Sequence, residues 1–143
     1  MKDCFVTYDI AAKLKEKGFR EFVCGHYKSP AHLSVCSEPM NTNASACGEY
    51  AAPRIDQALK WIREKKYFHI EFVSTAYGYN YIISDVPKDG ATDRHYSHAT
   101  CEGPNDGGAF DSYEEAALAA MEYILDNLKD GQCLGFDGRT VSA

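Results

Sequence analysis

The densest group of potential metal ligands in the sequence lies between residues 93 and 102. It consists of His95, His98 and Cys101, flanked by Asp93 and Glu102. Imidazole, thiolate and carboxylate groups are the usual protein ligands of Zn²⁺. On a strand, His95 and Cys101 would share one face while His98 points to the other. The spacing therefore predicts a metal or small-ligand site here as one alternative, and ordinary histidines on a sheet surface as the other.

The remaining cysteines and histidines form no recognised catalytic motif. The chain has six cysteines, but no two of them are two to four residues apart, as in zinc-binding pairs. The sequence contains neither Gly-x-Ser-x-Gly nor His-Glu-x-x-His. A cysteine and a histidine could still meet in space, because nucleophile pairs need not be adjacent in sequence. These observations favour a non-catalytic protein without a cofactor.

The net charge of −6 is concentrated at the end of the chain. Residues 1–100 hold 13 basic and 12 acidic side chains, whereas residues 101–143 hold two basic and nine acidic ones. Phosphate contacts require Lys and Arg, so this distribution argues against nucleic-acid binding. It predicts either an acidic surface for a basic protein partner or a solvated face that aids solubility.

Two further expectations concern location. No apolar run approaches the roughly 20 residues that a membrane-spanning helix needs, so we expect no membrane association. The first residues are followed by polar ones rather than by the apolar segment of a signal peptide. We therefore expect a cytoplasmic protein whose cysteines are reduced.

The hydrophobic pattern predicts an α+β fold, with three helices and a mostly antiparallel sheet of about four strands in the order α-β-loop-α-β-β-β-α. A first helix at 8–17, with Thr7 as N-cap and Gly18 after its end, precedes a strand at 21–27. Residues 28–52 lack a lasting period and are interpreted as a loop, with a strand or helical turn near 32–36 as the alternative. The predicted domain covers residues 1–130, and 131–143 form a frayed tail.

A second helix is expected at 53–65, and Trp61 lies off its buried stripe. Because Trp is enriched at binding hot spots, Trp61 is predicted to contact a partner; the alternative is that loop 28–52 folds over it. Strands at 68–76, 79–86 and 93–101 follow. Tyr79 and Tyr81 share one side of this sheet, where they would either stack on bases or pack across strands.

The last helix is expected at 111–128, with Asp111 or Ser112 as its N-cap. Its outer face carries Glu115, Glu122 and Asp126, which we predict to be the partner-binding acids. The helix-strand-strand-strand-helix order after Pro53 is that of a double-stranded-RNA-binding domain. That family is basic where this helix begins Ser112-Tyr113-Glu114-Glu115, so RNA binding is rejected. The predicted apolar face comprises Ala117, Leu118, Met121, Ile124, Leu125 and Leu128.

Several stretches carry a resemblance to known proteins. They are Phe5-Val6-Thr7-Tyr8, Lys15-Glu16-Lys17-Gly18-Phe19, Pro53 to Trp61, and Glu102-Gly103-Pro104-Asn105-Asp106-Gly107-Gly108 with Ser112-Tyr113-Glu114-Glu115-Ala116. These stretches resemble small acidic proteins common in gut Bacteroidetes genomes and their phages. The resemblance reaches to about residue 128. That family has no assigned activity, so it implies a class of protein and no catalytic residue.

The sequence thus leads to two functional hypotheses. The first is a non-catalytic protein-interaction or regulatory module of mobile-element origin, which binds an unknown protein partner. The alternative is a small-ligand or metal-dependent activity at His95, His98 and Cys101. A homodimer is a further alternative, because the basic segment from Lys60 to Lys66 could meet the acidic region of a second copy.

Overall fold

The computed structural model of this chain describes residues 4–44, 48–85, 96–99, 103–127, 133–134 and 140–141. These residues form three α-helices and antiparallel sheets. The predicted α+β class is confirmed. The chain forms two compact units, Met1–Ala58 and Leu59–Ala143. The predicted boundaries of one domain at 1–130 and a tail at 131–143 stay a prediction.

The first unit begins with helix α1, Tyr8–Glu16, whose ends are both defined by local hydrogen bonds. The Thr7 hydroxyl accepts from the Ile10 N–H at 3.4 Å, as the predicted N-cap should. At the other end Gly18 adopts a φ of +94°. The N–H groups of Gly18 and Phe19 donate to the carbonyls of Lys15 at 3.1 Å and Leu14 at 2.9 Å. This is the Schellman arrangement that the glycine predicts.

Three strands follow, β1 (Val23–Ser29), β2 (His32–Met40) and β3 (Tyr50–Ala52), with a 3₁₀ turn at Thr42–Ala44. They form an antiparallel sheet in the order β2-β1-β3. The interpretation of residues 28–52 as a loop is therefore wrong, and the alternative of a strand near 32–36 is correct. The hydrophobic pattern did not reveal this strand, because β2 is an edge strand with mostly exposed side chains, including Pro39.

Helix α2, Ile55–Trp61, continues as a π-helical turn over Ile62–Lys66 and ends at Tyr67, whose φ is +66°. The predicted helix at 53–65 is thus confirmed in extent, although its last turn is wider than an α-helix. The predicted apolar stripe of this helix comprises Ile55, Ala58, Leu59 and Ile62. Leu59 is half-buried and the other three are buried. The division between the two units falls within α2.

The second unit contains β4 (Phe68–Thr75), β5 (Gly78–Asp85) and β6 (Tyr96–Ala99), paired antiparallel in that order. The predicted hairpin is confirmed, but its two-residue turn is Ala76-Tyr77, one residue before the predicted Tyr77-Gly78. Gly78 is required there because its φ is +132° and a Cβ would collide with the Phe110 carbonyl. The predicted third strand at 93–101 is represented by β6, and its remaining residues lie outside the described ones.

Helix α3, Tyr113–Asn127, packs on β4 and β5. Ser112 is its N-cap, since its hydroxyl accepts from the Glu115 N–H at 3.1 Å, which decides between the two predicted caps. The buried face comprises Ala116, Ala117, Ala120, Met121, Ile124 and Leu125. Of the other predicted members, Leu118 is half-buried and Leu128 lies outside the described residues.

Two short strands, β7 (Cys133–Leu134) and β8 (Thr140–Val141), pair antiparallel within the segment predicted as a tail. In the parts of the chain that the structure describes, no helix has the length and apolar character needed to cross a membrane.

Candidate functional site

The outer face of α3 carries an acidic groove. Three exposed acids lie along one side of the helix. Glu122 follows Glu115 by about two turns, and Asp126 follows Glu122 by about one turn. Glu122 and Asp126 line a groove of about 510 Å³. The other lining residues are Phe110, Ala119, Tyr123 and Asn127. The groove thus combines two carboxylates with an aromatic and apolar wall.

The charge of this face is entirely negative. The 15 residues of α3 include four acids, Glu114, Glu115, Glu122 and Asp126, and no lysine or arginine. Carboxylates near the first turn also interact favourably with the N-terminal end of the helix dipole. The last turn carries no basic residue. A ligand at this face therefore meets a row of exposed carboxylates along the helix.

The wall formed by Phe110 is positioned by the loop before α3. Phe110 and Tyr79 exchange two backbone hydrogen bonds of 2.8 Å. The backbone of Phe110 therefore pairs antiparallel with β5 at Tyr79. The Asn105 side-chain amide donates to the Tyr77 carbonyl at 2.8 Å and to the Asp111 carboxylate at 2.7 Å. These bonds tie the loop to the β4–β5 turn, and they hold Phe110 beside α3.

The tyrosines of β5 pack against aromatic neighbours. The ring centroids of Tyr79 and Tyr113 are 6.5 Å apart in an edge-to-face arrangement, and those of Phe72 and Tyr113 are 4.2 Å apart. Tyr81 is 1% exposed and lies 6.3 Å from Phe110. The packing alternative therefore holds for Tyr81, whose buried ring offers no face for base stacking.

Trp61, predicted to contact a partner, is 7% exposed. The Lys66 ammonium lies 5.2 Å from the centroid of its ring, within cation–π range. Little of the indole is therefore accessible to a partner in this conformation. Its role in binding stays a prediction, separate from the acidic face of α3.

Two of the three predicted metal ligands, His95 and Cys101, lie outside the described residues. His98 is on β6, where its backbone pairs with Ile83. Among the residues that the structure describes, no group of three His, Cys, Asp or Glu side chains could hold a metal ion. Because His95 and Cys101 are not among those residues, the metal or small-ligand alternative stays a prediction.

A second cluster of reactive side chains was not found from the sequence. The Cys36 thiol lies 3.8 Å from Nδ1 of His26, and Nε2 of His26 lies 3.8 Å from a carboxylate oxygen of Glu49. His26 is 7% exposed, whereas Cys36 is half-buried and the Glu49 side chain is 31% exposed. The cluster therefore has a buried imidazole at its centre, with a more exposed thiol on one side and a more exposed carboxylate on the other.

The strand register explains this cluster. His26 lies on the central strand, opposite Ser34 on β2 and opposite Ala51 on β3. Cys36 follows Ser34 by two residues and Glu49 precedes Ala51 by two, so both are diagonal neighbours of His26. The only sequence signal was Pro30, which lies in the Pro30-Ala31 turn that joins β1 and β2 in one hairpin.

The described residues thus form an α+β protein with a row of exposed carboxylates on α3. No protein-family model matches the chain, and neither a curated protein nor a solved structure matches it.

Proposed function

We propose that this chain is a non-catalytic protein-interaction module that binds a basic segment of a partner protein in the acidic groove of α3. The proposal depends on one observation. Glu122 and Asp126 line the same groove as the aromatic side chains of Phe110 and Tyr123. Such a lining matches a segment that carries Lys or Arg next to apolar side chains.

Charge complementarity selects this occupant. An acidic segment would be repelled by α3, which carries four carboxylates and no basic residue. Nucleic acid would be repelled for the same reason. Trp61 is not part of the proposed surface, because only 7% of it is exposed.

A synthetic probe tests the proposal directly. The full chain is titrated with a fluorescein-labelled peptide of alternating arginine and leucine, and with a matched peptide of alternating glutamate and leucine. Binding of the basic peptide alone is expected, and it should weaken at high salt. Glu122→Lys with Asp126→Lys should weaken it about tenfold or more, because two exposed ion pairs are lost and replaced by repulsion.

The matched control for one such substitution is Glu114→Lys, which changes the charge of α3 as much as Glu122→Lys alone, at an exposed position outside the groove lining. A comparison of the single variant Glu122→Lys with Glu114→Lys separates the groove from a general charge effect. Equal weakening by both, or no binding of the basic peptide, would contradict the proposal.

A second copy of the chain is the competing occupant. Static light scattering of the purified chain at low and high salt distinguishes the two. We expect a monomer at both salt concentrations, whereas a dimer that dissociates in salt would assign the acidic face to the basic segment Lys60 to Lys66 of another copy.

We further propose a cytoplasmic location and a mobile-element origin. The first is supported by the free thiols of Cys4, Cys24 and Cys36, which suit a reducing compartment. The second rests on the resemblance to small proteins of Bacteroidetes genomes and phages. Mass determination of the protein from native cells, with and without alkylation, tests the first; cysteines paired in disulfides would contradict it.

A further inference from the structure

The geometry points to Cys36 as a reactive thiol that undergoes exchange with low-molecular-weight disulfides, with His26 accepting its proton and Glu49 positioning the imidazole. This site is independent of the acidic groove, and it is a modification site rather than a catalytic one. It adds a redox-sensitive position to a chain whose sequence offered no catalytic motif.

The orientation of the imidazole favours proton transfer from the thiol. The Glu49 carboxylate lies 3.8 Å from Nε2, so its negative charge favours the tautomer of His26 that carries its proton on Nε2. Nδ1 is then the free acceptor, and it is the atom 3.8 Å from the Cys36 sulfur. Once His26 has taken the proton, Glu49 stabilises the imidazolium through the contact of 3.8 Å at Nε2.

The same geometry argues against a shared metal ion. A metal bound by all three residues would have to contact a single nitrogen of His26 together with the thiolate and the carboxylate. Here Cys36 and Glu49 face different nitrogens, on different edges of the ring. The arrangement suits a proton relay instead.

The exchange step balances without any further reagent. The Cys36 proton moves to Nδ1 of His26, and the thiolate attacks one sulfur of the disulfide. A new S–S bond forms at Cys36 while the old S–S bond breaks, and its electron pair leaves with the second sulfur. That sulfur takes the proton from His26, so one small thiol is released. Disulfide exchange needs only the thiolate and its base, which are the groups present.

Exposure allows this reaction at Cys36. The residue is half-buried and lies on the edge strand β2. Among the described residues, the titratable groups in contact with His26 are Cys36 and Glu49. Lys15 of α1 adds a positive charge nearby, since its ammonium donates to the Glu49 backbone carbonyl at 3.3 Å.

The test is the rate of mixed-disulfide formation with oxidised glutathione, measured for each cysteine by peptide mass spectrometry between pH 6 and 9. In the wild-type chain Cys36 should react at pH 7 about tenfold faster than Cys24, which is also half-buried. His26→Asn should reduce the Cys36 rate about tenfold, because the thiol loses the base that accepts its proton. The Cys24 rate should not change.

Glu49→Gln provides the second variant, because Glu49 is partly exposed and its replacement conserves shape. It should slow Cys36 severalfold while circular dichroism and the Cys24 rate stay at wild-type values. If His26→Asn does not fold, Glu49→Gln alone decides the question. An unchanged Cys36 rate and pH profile in Glu49→Gln, or a wild-type Cys36 no faster than Cys24, would overturn the proposal.

Discussion

The side-chain amide of Asn43 donates to the backbone carbonyl of Phe19 at 2.8 Å, across 24 positions of sequence. The other end of the same amide accepts from the Ala51 N–H at 2.9 Å. Asn43 is 6% exposed, and it joins the segment after α1 to the start of β3. A buried amide with both ends bonded stabilises this unit, because neither partner has to remain unpaired away from water.

Replacing Asn43 with Ala should destabilise the protein by about 2–4 kcal/mol, since two buried backbone groups lose their partner. The matched control is Asn41→Ala, which removes a more exposed bond of 3.2 Å to the Arg20 carbonyl. That control should cost about 1 kcal/mol or less. Urea unfolding followed by circular dichroism measures both, and equal losses would show that Asn43 has no special role.

Gly25 allows close contact within the first sheet. A Cβ at this position would lie 2.5 Å from the Ala52 carbonyl oxygen and 2.9 Å from the Phe5 ring. Gly25→Ala should therefore cost about 1–3 kcal/mol, because the backbone of β3 has to move. Lys28→Ala, at an exposed position of the same strand, should change stability by about 0.5 kcal/mol or less. Thermal unfolding of the two variants checks this, and a tolerated Ala at position 25 would refute the close packing.

Ser112→Ala should destabilise α3 by about 1 kcal/mol, because the Glu115 N–H loses its acceptor. Ser112→Asp is the conservative control, since aspartate also caps helices and suits the helix dipole. Amide hydrogen exchange in the first turn of α3 should speed up in the alanine variant and stay slow in the aspartate variant. Fast exchange in both would mean that Ser112 does not cap the helix.

The ion pair between Arg54 and Asp56 makes the free energy of unfolding depend on pH in the acidic range. A side-chain hydrogen bond from the Arg54 guanidinium, 3.1 Å from the carboxylate, lowers the pKa of Asp56 below its ordinary value of 3.8. The stabilisation is present above the unfolded pKa of 3.8 and is lost as the pH falls through the lower folded value. The stabilisation is small, because both side chains are more than half exposed and the solvent screens their ion pair.

Titration of the Asp56 carboxyl by NMR checks this relationship. Arg54→Gln should raise the pKa of Asp56, since the hydrogen bond and the positive charge are removed together. Lys60→Gln is the control, because it removes a cation that pairs with Glu64 instead. A pKa of Asp56 that does not move in Arg54→Gln would contradict the assignment.

Elements formed by local interactions were predictable. The N-cap at Thr7 and the end of α1 at Gly18 depend on residues within one or two turns. The β4–β5 hairpin combines an alternating pattern with a two-residue turn, and α3 combines a regular apolar stripe with a cap. In each case the signal and the structure lie within the same short stretch of sequence.

Strands β2 and β3 were not predictable in the same way. β2 is mostly exposed, and β3 has only three residues, so neither has a clear alternation. Both form because β1 pairs with each of them: the β1–β3 pairing is non-local, and the β1–β2 hairpin has Pro30 in its turn but little alternation in β2. Register between strands is a tertiary property, and a shift by one residue would reverse the faces.

The sequence by itself determined the α+β class, the helices and the row of acids at Glu115, Glu122 and Asp126, because charge and periodicity are written along the chain. The tertiary structure decided what those acids face. Phe110 reaches the side of α3 only through its pairing with Tyr79, and the burial of Trp61 depends on how the chain folds. It also decided that His26 lies between Cys36 and Glu49, since only the register of three strands places groups 10 and 23 positions away against one imidazole.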